Sequence, residues 1–122
     1  MMSKKKIIRI ELTEDEFFAL KNIINEACFG IRIDNYENIF GKNEQIVISF
    51  SENISNKILN GNLLVLSETE LQILVKSITE VFRQIDDWKF QTRIGISKNE
   101  AMKIKTKVEE EYSKLPYKQV DT

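Results

Sequence analysis

The chain has 122 residues, 42% apolar and 30% charged, with 18 basic and 19 acidic side chains and a formal net charge of −1. That length and balance fit one globular domain (1–122) around a single core, and the near-neutral charge speaks against wholesale binding to a polyanion. Histidine is absent and Cys28 is the only cysteine, which removes the usual metal sites, the serine and cysteine triads, the Glu-x-x-His motif of di-iron bundles and any internal disulfide.

Lys4-Lys5-Lys6 reads as a short solvated tail. The Ile-Ile-Arg-Ile-Glu-Leu that follows carries charges that interrupt any signal-peptide core. No run reaches the ~18 apolar residues of a membrane span. With the lone cysteine, this sets the expectation of a cytoplasmic protein that does not enter a membrane. From Ile7 to Leu12 the residues alternate, with Ile8, Ile10 and Leu12 on one side and Arg9 and Glu11 on the other. Period two predicts a half-buried strand.

Thr13-x-x-Glu16 is a capping box, in which hydroxyl and carboxylate each satisfy an amide of the helix start. A helix with a stripe of Phe17, Leu20, Ile23, Ile24, Ala27 and Cys28 follows, and Cys28 reads as a small buried apolar residue. Periodicity is lost from Arg32 to Gly41, and Tyr36 and Phe40 read there as core plugs. Asn43 then stands at the cap position of a further helix carrying Val47, Phe50, Ile54 and Ile58, closed by Asn60-Gly61. Taken alone, Ile46-Val47-Ile48-Ser49-Phe50 has the β-branching of a strand.

The second half restates the first. Leu66–Gly95 lies on Leu12–Gly41 at an offset of 54 without a gap, and six of the first nineteen aligned pairs are identical: Leu12, Glu14, Glu16, Leu20, Ile24 and Glu26 with their counterparts. Ordinary residue frequencies give roughly one or two. Leu63 to Leu66 supplies the second strand, predicted to pair with the first, and Ser67-x-x-Glu70 the second capping box. Leu71, Leu74, Val75, Ile78, Val81 and Phe82 form the stripe of the next helix. Asp86 to Gly95 again loses periodicity, with Phe90 and Ile94 as core plugs. Ser97-x-x-Glu100 then caps a last helix with Ala101, Ile104, Val108, Tyr112 and Leu115 inward, stopped by Pro116. The expected architecture is mainly α (α+β). Two tandem strand–helix–loop–helix repeats, 7–60 and 61–115, supply four main helices and a minor two-stranded element with pseudo-twofold symmetry. A flexible tail spans 117–122.

Little here points to catalysis. The four glycines are scattered, so no phosphate-binding loop is present. The acidic residues of the first turns act as caps, and Glu109-Glu110-Glu111 is a solvated helix flank. We expect no enzyme, no catalytic residue, no metal and no cofactor. The least ordinary chemistry is at Asp86, Asp87, Trp88, Lys89 and Arg93, where the two copies diverge: Arg32-Ile33-Asp34 stands in place of Asp86-Asp87-Trp88, and Ile39 in place of Arg93. One reading makes Arg93 structural, paired with Asp86 or Asp87 or capping carbonyls at a helix end. The other makes this loop a partner-binding site, because Trp and Arg are enriched at interface hot spots. Nucleic acid ranks lower as a partner, since Asp86 and Asp87 repel phosphate.

Trp88-Lys89-Phe90-Gln91-Thr92-Arg93-Ile94-Gly95 with Ser97-Lys98-Asn99-Glu100 resembles a pattern in small bacterial proteins, where an aromatic–x–Thr/Ile–Arg–x–Gly turn introduces a capped helix. Some of these resemble immunity proteins of polymorphic or contact-dependent toxin systems. The resemblance covers the second copy, and the first departs from it at Ile39. It implies a small, cytoplasmic, non-enzymatic protein that covers a toxin domain's active site or substrate-binding surface. The strong acidity of a decoy for a basic nuclease is missing. Two other classes stand beside it. One is a helical regulator or nucleic-acid-associated protein using Lys98, Lys103, Lys105 and Lys107. The other is a structural or adaptor subunit acting as a homodimer.

Overall fold

Alternation at Ile7–Glu11 produces the strand it predicts, β1, with Ile8 and Ile10 buried and Ile7, Arg9 and Glu11 facing solvent. The computed structural model describes residues 7–31, 44–59 and 62–115. The expectations for Lys4-Lys5-Lys6, Arg32 to Gly41, Asn43, Asn60-Gly61, Pro116 and the tail lie outside them.

Helix α1, Glu14–Asn25, starts at the Thr13 capping box with both reciprocal bonds made: the Glu16 amide donates to Oγ1 at 3.1 Å and the Thr13 amide to Oε1 at 3.0 Å. It widens into a π-helical turn over Glu26–Gly30. Helix α2, Glu44–Asn53, settles the β-branched stretch as helix, with Val47 and Phe50 buried. It ends earlier than the apolar spacing through Ile58 predicts. A 3₁₀ turn, Ile54–Lys57, follows, and Ile58–Leu59 become strand β2. Strand β3, Leu63–Ser67, leads into α3, Glu68–Gln84, through the Ser67 capping box. The predicted loop after α3 is instead mostly a two-turn helix, α4, Asp87–Ile94, closed by Gly95 at φ +105°. Helix α5, Lys98–Ser113, begins at the Ser97 box.

The chain is thus mainly helical, with a small three-stranded antiparallel sheet in the order β1-β3-β2. A sheet of three strands corrects the expected two. The missed strand is two residues long, too short to show any alternation. In β1–β3, Ile7 faces Ser67, Ile10 faces Leu64 and Glu11 faces Leu63. Ile58 faces Leu64 on the other side. The core lies between one face of this sheet and the helices. α3 contributes most to it, with Leu71, Ile73, Leu74, Val75, Ile78 and Val81 buried together with Ile8, Ile10, Leu20, Ile24, Phe90 and Ile104. Cys28 is half-buried against the core rather than fully enclosed.

Candidate functional site

The five residues singled out by divergence between the copies fall on α4 and its N-cap, and the fold separates them. An i, i+4 pair fixes the helix: Phe90 and Ile94 are completely buried, and Phe90 meets the edge of Phe82 at 5.1 Å between centroids. Trp88, two residues before Phe90, is carried to the outer side and is 76% exposed. The Lys89 ammonium lies 5.0 Å from the Trp88 ring, a cation–π contact that leaves most of the indole in solvent. Asp86 is the exposed N-cap, and its carbonyl accepts from the Lys89 amide at 2.9 Å. Asp87 receives Lys98 Nζ at 2.7 Å, and the same ammonium lies 5.7 Å from the rings of Phe82 and Phe90.

Arg93 belongs elsewhere. Its guanidinium pairs with Glu26 and donates to the Gly30 carbonyl at 3.3 Å, so it closes the π-helical end of α1. The pairing with Asp86 or Asp87 is therefore corrected, and the carbonyl-capping alternative holds. One helical turn separates Arg93 from Lys89, and the residue is drawn inward because Glu26 is itself half-buried and needs a partner. A side chain at Gly30 would collide with that Glu26 carboxylate.

Two exposed aromatics on the first helical segment escaped the sequence reading: Phe18 (58%) on α1 and Phe29 (62%) on its π-helical turn. The Phe18 ring covers Gly95 so closely that a Cβ there would lie 3.2 Å from Cε2. Beside it, Asn22 Nδ2 donates to the Ile94 carbonyl at 2.7 Å, which ties α1 to the end of α4. The signal was present in Phe18, an aromatic that falls off the apolar stripe of its helix.

On α5, three of the four lysines that suggested nucleic acid are engaged with carboxylates: Lys98 with Asp87, Lys105 with Glu109 at 2.8 Å and Lys107 with Glu16 at 2.8 Å. Phosphate would have to displace these partners. Among the described residues no group of three His, Cys, Asp or Glu side chains is placed to hold a metal ion, and no helix is long and apolar enough to cross a membrane. Compared with known protein families, curated proteins and solved structures, the chain matches none.

Proposed function

We propose that this chain is a non-enzymatic, cytoplasmic protein-binding module, and that its partner is a bacterial toxin domain which it neutralises by steric occlusion. The observation that carries the reading is Trp88, a large aromatic held in solvent on a short helix whose opposite side is locked into the core. A rigidly mounted aromatic loses little entropy on docking, and such residues anchor interface hot spots. Asp86, Asp87 and Lys89 supply the charged rim around it. Arg93 supports the platform from within.

The scaffold is read as two tandem units related by a pseudo-twofold axis. Three features support this: the helical stretches 14–30 and 68–84 begin and end at equivalent positions, both open on capping boxes, and Ile10 pairs with Leu64, its own counterpart at an offset of 54.

The test is a pull-down with the tagged chain from its native cells, followed by titration of the recovered partner. A single stoichiometric protein is expected. Trp88→Ala should weaken its binding about tenfold or more while leaving thermal unfolding unchanged. Undiminished affinity would remove Trp88 from the site, and material released by nuclease treatment alone would replace the protein partner with nucleic acid.

A further inference from the structure

We infer that the open edge of β1 is a strand-pairing surface for a second copy of this chain. Among the described residues β1 is an edge strand, bonded only to β3. The Leu12 amide donates to Asn62 on the β3 side at 2.9 Å, so the alternation of a strand turns the N–H and C=O of Ile7, Arg9 and Glu11 outward. The Glu11 carbonyl confirms that direction, since it accepts from Lys107 Nζ at 2.9 Å on the outer side. A trough of about 460 Å³ opens at the C-terminal end of β1, lined by residues 9–13 together with Asn62, Lys107, Glu110 and Glu111.

The occupant follows from charge. Arg9 and Glu11 are both exposed on the solvent face, and no salt bridge among the described residues engages either. Glu11 has only a 3.4 Å contact from Asn62. Their spacing is self-complementary. In an antiparallel pair centred on Ile10, the outward groups of residues 9 and 11 meet those of residues 11 and 9 of the second copy. Each arginine then stands opposite a glutamate, twice per interface. Cross-strand pairs of opposite charge stabilise a sheet, and like pairs weaken it. Lys107 occupies one carbonyl of this edge and must swing aside, and this register pairs only residues 9–11 of each strand, well short of the ~20–30 residues a side of a standard interface. Association is therefore weak and concentration-dependent.

Sedimentation of the full chain from ~10 μM to ~1 mM tests it. The wild type should shift from monomer towards dimer. Arg9→Glu and Glu11→Arg should each weaken dimerisation at least about tenfold. The double exchange should restore it to within about threefold, with circular dichroism unchanged throughout. A chain that stays monomeric over the whole range, or a double exchange no better than either single variant, overturns the inference. Trp88→Ala leaves this dimer intact, so the outcome is independent of the toxin reading.

Discussion

Glu16 carries two tasks with one oxygen. Its Oε1 accepts the Thr13 amide in the capping box and the Lys107 ammonium from α5. Burial raises its pKa, but the Lys107 and Thr13 hydrogen bonds and the charges of Lys107 and Lys103 outweigh this, and the value lies below the ordinary 4.5. A depressed carboxylate stabilises the fold fully above its unfolded pKa, and that contribution is lost as pH falls through the folded one. Glu16→Gln should therefore cost about 0.5–1 kcal/mol in urea unfolding above about pH 5. The gap to wild type should close in more acidic buffer. A gap that stays constant into acid would mean that the charge of Glu16 contributes nothing.

Among the elements, α4 depends on a contact far away in sequence. Removing Arg93 leaves the half-buried Glu26 carboxylate without its cation, so Arg93→Met should cost about 1–3 kcal/mol. Combining it with Glu26→Gln should cost less than the sum of the two, and strict additivity in denaturant midpoints would show that the pair is not coupled. The sequence announced α1, α3 and α5 clearly, because each opens on a capping box and runs long enough for its stripe to repeat. It concealed α4, whose eight residues complete barely two turns and carry only Phe90 and Ile94 as an inward pair. It also overextended α2. Ile54 and Ile58 keep a helical spacing, yet Ile58 is needed opposite Leu64 in the sheet, and tertiary pairing outweighed local periodicity. Trp88 was legible as unusual. That Arg93 points the other way was not, because its partner Glu26 is 67 positions distant.

At the scale of the whole molecule, α3 is the element against which β1, α1 and α5 all pack. Leu74 sits in its middle with no exposure. Leu74→Ala should lose about 2–5 kcal/mol, a large share of the ~5–15 kcal/mol that holds a domain of this size. Leu59→Ala, on the margin of the sheet and 52% exposed, should stay within about 0.5 kcal/mol. Equal losses in urea midpoints would mean that the core is not centred on α3. The sheet order has a consequence for synthesis. β1 leaves the ribosome with three apolar side chains, Ile7, Ile8 and Ile10, but its partner β3 is translated about 50 residues later. At ~5–20 residues per second the strand waits roughly 3–10 s before it has anything to pair with. During that interval its unpaired edges are available to any other nascent chain or to a chaperone. Arg9, between Ile8 and Ile10, and Glu11, between Ile10 and Leu12, are then what keeps the waiting segment in solution.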